Sequence, residues 1–111
     1  MGMAMKVKQY EIYWINLDPT IGSEIQKTRP GVVITPDEMN NNIDTIIIAP
    51  LTTKSHNYPT RVKTNVAGKE CWMVIDQIRA IDKCRLSGKI GELNKNDIAK
   101  IKNIINEMLV V

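Results

Sequence analysis

Apolar and polar residues alternate through Gln9 to Leu17, QYEIYWINL, with Tyr13, Ile15 and Leu17 on one side and Ile12, Trp14 and Asn16 on the other. A period of two in aromatic and β-branched residues predicts a strand, which Asp18 and Pro19 close. From Gly31 to Thr35 the alternation disappears and β-branched residues follow one another, predicting a buried second strand. Between the two lies a polar loop in which Gly22, Ser23, Gln26 and Thr28 carry no apolar period, while Glu24 and Arg29 bring both signs of charge. Pro30 holds Arg29 in extended geometry, so its guanidinium is presented at the mouth of the strand.

Pro36 with Asp37, Glu38 and Met39 predicts one short helical turn, broken by Asn40, Asn41 and Asn42. Thr45 to Ala49 predicts a third strand closed by Pro50, and Leu51 to Thr60, LTTKSHNYPT, a second polar loop. If strands two and three are antiparallel neighbours, the end of the first loop and the start of the second share one rim. Arg61, Lys63 and Asn65 alternate with Val62, Thr64 and Val66 as a half-exposed strand. Trp72 to Ile75 predicts a buried strand, Ile78 to Ile81 a further apolar step, and Leu86 to Ile90 a short strand that Gly88 allows to bend. The end of the chain changes period: Asn94 is an N-cap with Asp97 three residues on, and Ile98, Ile101, Ile105 and Met108 share one helical face while Lys95, Lys100 and Lys102 point away. Burying four such side chains contributes at most about 1.5 to 3 kcal/mol each, enough to hold the helix on the domain. Many short strands followed by one helix predict a mainly β fold, a small antiparallel barrel with a packed C-terminal α-helix.

The 111 residues suit one domain, taken as residues 6–111, with MGMAM at 1–5 read as an extended start. No stretch approaches the roughly 20 apolar residues of a membrane span, and the N-terminus lacks a signal-peptide pattern, so a cytoplasmic protein without membrane contact is expected. Cys71 and Cys84 lack the close spacing of a zinc site and are expected as reduced thiols and small buried hydrophobes; with a single histidine they offer no metal centre. The net charge of +3 permits nucleic-acid binding without requiring it. Lys27, Arg29, Lys54, His56, Arg61 and Lys63 fall in the two loops and the strand after the second, and make one positive surface if those loops meet. Scattered, solvated lysines are the alternative.

Taken in order and spacing, EIYWINLDPTIGSE, TRPGVVITP, APLTTKSHNYPT and the DQIRAID run from Asp76 resemble the MazF/PemK family of toxin endoribonucleases, from about Glu11 to the end of the helix. The resemblance implies an SH3-like, MazF/CcdB-like barrel, a homodimer, and sequence-specific cleavage of single-stranded RNA without metal or cofactor. It also implies inhibition by a cognate antitoxin, with DNA contacted only through that antitoxin. Arg29 and Thr52 match the positions that carry cleavage, Glu24 matches a loop acid, and Asp76 and Gln77 match a pair beside the active site. Two positions depart: Val74 stands where one branch has a catalytic arginine, and Tyr10 replaces the usual glycine ahead of strand one.

Metal-free RNA cleavage needs a group to activate the 2′-hydroxyl, a donor for the leaving oxygen and positive charge on the phosphorane. Arg29 suits the last task, since a guanidinium offers a fork of donors and stays charged. Thr52 can hold a nonbridging oxygen, and Glu24 is the carboxylate for proton transfer or for positioning RNA. Lys27, Thr28, Thr53, Lys54, His56, Arg61, Asp76 and Gln77 are the candidate RNA contacts. With one histidine a two-histidine scheme is excluded, so His56 is assigned to binding. Trp14 and Trp72 have faces that stack on bases, but their apolar strands predict core packing. The antitoxin is expected to lay an acidic, extended segment over the basic loops. Two alternatives remain: a CcdB-like gyrase poison, whose Trp-Gly-Ile tail this chain replaces with Met108 to Val111, and a peptide-binding barrel.

Overall fold

A computed structural model describes residues 6–17, 22, 27–55 and 57–110. Its strands are β1 (Glu11–Asn16), β2 (Thr28–Val33), β3 (Thr45–Thr52), β4 (Arg61–Val66), β5 (Lys69–Val74), β6 (Arg79–Asp82) and β7 (Leu86–Glu92), with helices α1 (Asp37–Asn42) and α2 (Lys95–Ile105). All strand pairs are antiparallel, in the order β4-β5-β3-β2-β1-β7, and β6 pairs with β3. The two end strands, β4 and β7, are not neighbours, so the sheet curls as a half-barrel with α2 at the C-terminal end. Small-barrel expectations are met in this open form.

The alternation in β1 is realised as two apolar cores on opposite faces. Ile12 joins Val32, Ala49, Leu51, Met73, Ile75 and Ile101 of α2, while Tyr13, Ile15 and Leu17 join Val33, Ile46, Ile48, Ile81 and Leu86. Successive residues of β2 and β3 serve opposite cores, which is why neither strand alternates in hydropathy. Gly31 of β2, paired with Tyr13 of β1 and Pro50 of β3, lies where a Cβ would run into the Ile15 side chain, well inside van der Waals contact. Glycine here leaves room for the terminal methyl of Ile15 on β1.

Several expectations are corrected. Pro50 does not close β3, which runs on to Thr52. On that side β3 pairs with β6 as far as Ile48 and with β5 from Leu51, so a residue without an N–H falls at the change of partner. The three asparagines continue α1 rather than break it. Asn40 is buried and exchanges hydrogen bonds with Thr35, Oγ1 donating to Oδ1 at 2.7 Å and Nδ2 to the Thr35 carbonyl at 2.9 Å, so its amide does not compete with the helix. Cys84 is exposed rather than buried, and both cysteines are free. No helix is long and apolar enough to cross a membrane among the described residues.

The C-terminal helix forms as its sequence demands. The Asn94 side chain accepts from the Asp97 N–H at 2.8 Å, Ile101 is fully buried, and Ile104, Ile105 and Met108 pack partly against the first core. Asp97 does a second thing that its position in the first turn does not announce: it is buried, and its carboxylate accepts from the Thr64 hydroxyl on β4. Tyr10 stands in left-handed backbone at φ 69°, a conformation that glycine adopts more readily.

Candidate active site on the sheet rim

Two strands build the centre of the site. In the register of β2 and β3 the last pair is Gly31 with Pro50; Arg29 lies two residues before Gly31 on its strand, and Thr52 two residues beyond Pro50 on the other. Residues two apart along a strand project from the same face, so both side chains lie on the face that Gly31 and Pro50 share, at one rim. A cavity of about 50 Å³ there is lined by Arg29, Pro30, Leu51, Thr52, Thr53 and Cys71. A larger one of about 360 Å³ adjoins it, bounded by Trp14, Thr28, Arg29, Pro30, Thr53 and Lys69 among others.

The Thr52 hydroxyl is placed by the turn that follows it. Its Oγ1 accepts from the Lys54 N–H at 3.3 Å and donates to the Lys54 carbonyl at 3.2 Å. Lys54 and Thr53 are exposed on that turn. Lys27, also exposed, is in left-handed backbone at φ 70°, and its carbonyl accepts from the Leu17 N–H at 3.0 Å, tying the two ends of the first loop together directly ahead of Thr28 and Arg29.

Arg61 is not a loose surface cation. Its Nε and Nη2 donate to Oδ1 and Oδ2 of Asp76, each at 3.1 Å, its Nη1 donates to the Ser55 hydroxyl at 2.9 Å, and the guanidinium lies 4.8 Å from the Tyr58 ring centroid. Thr60 donates to the same carboxylate at 3.0 Å. Burial acts to raise the Asp76 pKa, but the Arg61 and Thr60 hydrogen bonds outweigh it and hold the carboxyl below the ordinary aspartate range. Arg61 and Asp76 therefore fasten the second loop to the turn after β5, where Gln77 is half-buried. Glu24 and His56 lie outside the described residues.

Both tryptophans depart from the core packing expected of them. Trp14 is 44% exposed, at the edge of the larger cavity. Trp72 is half-buried and belongs to neither core; Lys63 Nζ lies 5.2 Å from its ring centroid. The signal was available in β5, where Cys71 and Met73 point inward and Trp72 must point the other way.

A family model described as PemK-like, MazF-like toxin of type II toxin-antitoxin system matches residues 8–109. The chain is 31% identical over 100 residues to the endoribonuclease toxin MazF of Escherichia coli strain K12, covering 89% of this chain and 90% of that protein. Its fold superposes on crystalline MazF from Deinococcus radiodurans with a TM-score of 0.86 at 21% identity, over 96% of this chain and 99% of that one. It also superposes, with a TM-score of 0.80 at 18% identity, on a mycobacterial endoribonuclease in complex with its cognate antitoxin, over 95% of this chain and 96% of that one.

Proposed function

The chain belongs to the PemK-like, MazF-like family of toxin endoribonucleases of type II toxin-antitoxin systems, and we propose that it cleaves single-stranded RNA by attack of the substrate's own 2′-hydroxyl at a centre formed by Arg29 and Thr52. The observation that supports this reading is the rim cavity that Arg29 and Thr52 line together, a guanidinium and a hydroxyl on neighbouring strands.

The 2′-hydroxyl is tethered next to phosphorus, so the enzyme need only bring it in line. Arg29 donates to the nonbridging oxygens as negative charge builds on the phosphorane. Thr52 turns its hydroxyl from the Lys54 carbonyl to one of those oxygens, while the Lys54 N–H still fixes Oγ1. Glu24 takes the 2′-hydroxyl proton, or positions the RNA while water takes it, and the departing 5′-oxygen is protonated by water as its bond to phosphorus breaks. Lys27, Thr28, Thr53 and Lys54 border the centre and follow the RNA backbone; Arg61 and Asp76 act by holding the second loop. We further propose a homodimer, supported by Leu109 and Val110 at 62% and 69% exposure on the C-terminal turn. A cognate antitoxin would cover the same basic rim with an acidic, extended segment.

The test is incubation of the purified protein with a long mixed RNA in EDTA, with both new ends mapped. A 2′,3′-cyclic phosphate, a free 5′-hydroxyl, and loss of cleavage on one 2′-deoxy substitution at the nucleotide 5′ to the cut are expected. Undiminished cleavage of the substituted strand would remove the mechanism.

A further inference from the structure

Thr52 is the start of a longer row. Thr52 of β3 pairs directly with Trp72 of β5, and Trp72 pairs directly with Lys63 of β4. These three side chains therefore issue from the same face of three adjacent strands, β3, β5 and β4, and Arg29 of β2 lines the rim cavity beside the first of them. At roughly 4.8 Å between strands, the indole stands one spacing from Thr52 and the Lys63 ammonium two.

At the β4 edge of the sheet, beside Trp72, lies a cavity of about 410 Å³ bounded by Trp72, Lys63, Arg61 and, from α2, Lys100, Asn103 and Ile104. Three of these groups are cations, and only Arg61 is committed to a bidentate carboxylate. Lys63 is held weakly: its partner Glu70 is 3.6 Å away, and both side chains are more than half exposed. Its position over the indole is the place a flat ring would take, and an exposed ammonium yields that place at little cost.

We propose that Trp72 and Lys63 form a nucleotide subsite continuous with the cleavage centre. The base next to the scissile phosphate stacks on the Trp72 ring, and Lys63 swings off the ring to that nucleotide's phosphate. The chemistry favours a nucleotide over an acidic peptide: a peptide carboxylate would use the cations but has no need of a planar aromatic face, whereas a nucleotide uses both. The Asn103 amide, carrying donor and acceptor, lies where a base edge would reach it. This inference rests on the RNA-cleaving reading above.

The test uses the best-cut motif from the mixed-RNA map, made as a 12-nucleotide RNA with 2′-deoxy at the cleavage nucleotide, and a set in which each base in turn is abasic. Affinities are measured for the wild type, Trp72→Leu, Trp72→Tyr and Lys63→Ala. One flanking abasic position should weaken wild-type binding about 5- to 150-fold, the range for loss of one base–aromatic stack. Trp72→Leu should lose the same factor on the intact RNA and nothing more at that position, Trp72→Tyr should regain most of it, and Lys63→Ala should lower the salt dependence of binding. In Trp14→Phe protein, where Trp72 is the remaining tryptophan, the RNA should quench the fluorescence; this readout stands even where Trp72→Leu does not fold. An abasic profile in Trp72→Leu equal to wild type, unquenched Trp72, or a loss confined to antitoxin binding would overturn the subsite while cleavage itself still stands. Absence of RNA cleavage by the wild type would instead remove the reading beneath it.

Discussion

Arg61 and Asp76 meet through two parallel hydrogen bonds of 3.1 Å, with Arg61 only 16% exposed. The pair joins β4 to the turn after β5, and through Ser55 it reaches the loop that begins at Thr53. Asp76→Asn should weaken the fold by about 1 to 2 kcal/mol, less than a fully buried pair because the carboxylate is partly solvated. The sign with pH follows from the depressed Asp76 pKa. Its contribution is complete above the ordinary aspartate value of about 3.9 and is lost as pH falls below that, through the folded value. Urea unfolding at pH 7, 5 and 3 should show wild type and variant converging only at the acidic end.

Arg29→Ala should keep the melting temperature while single-turnover cleavage falls by roughly 10² to 10³-fold, the loss typical of one transition-state donor. Thr52→Ala should be similar or milder. Lys54→Ala should weaken binding and reduce its salt slope, leaving the rate at saturating RNA unchanged.

Tyr13 donates to Glu11 Oε1 at 2.8 Å, and Glu11 is further held by the Lys8 N–H and by Lys89 Nζ, each at 2.7 Å. Burial first, and then the Glu11 carboxylate, push the Tyr13 pKa up to about 12. The stabilisation is therefore whole below the ordinary tyrosine value of about 10 and is lost as pH rises through the folded value. Tyr13→Phe should cost about 1 kcal/mol at pH 8 and less near pH 12, measured by equilibrium unfolding.

Ala67 and Gly68 connect β4 to β5 with φ of 51° and 82°, the backbone of a tight hairpin turn in which both central residues are left-handed. Alanine is poorly suited to the first position. Ala67→Asn should stabilise by about 1 kcal/mol and raise the melting temperature by about 4 °C, measured by thermal unfolding.

Much of the fold is legible in the chain because short-range rules decide it. The β1 alternation assigns Ile12 and Tyr13 to their separate cores, and Asn94 caps α2 as its spacing demands. The common rim of Arg29 and Thr52 was legible too, since it needs only that β2 and β3 be antiparallel neighbours. What escaped depends on distant partners. Pro50 reads as a strand end until β6 and β5 are known to divide the far side of β3 between them. Trp72 reads as core when its strand is started at Trp72 instead of Lys69, which hides the alternation with Cys71 and Met73. Arg61 reads as a free cation because Asp76 is fifteen positions away in sequence.

The hydrogen bond from Thr64 to the buried Asp97 makes α2 a component with a single seat. A helix held by apolar contacts alone can slip by a turn, about 5.4 Å, and exchange one isoleucine for another. Here a slip would carry a carboxylate from its hydroxyl into the apolar neighbourhood of Val62 or Val66, at a cost of several kcal/mol. Lys100, Asn103 and Ile104 travel on the same helix. Thr64→Val should therefore act at a distance, loosening the cavity wall that α2 shares with Trp72 before it threatens the fold.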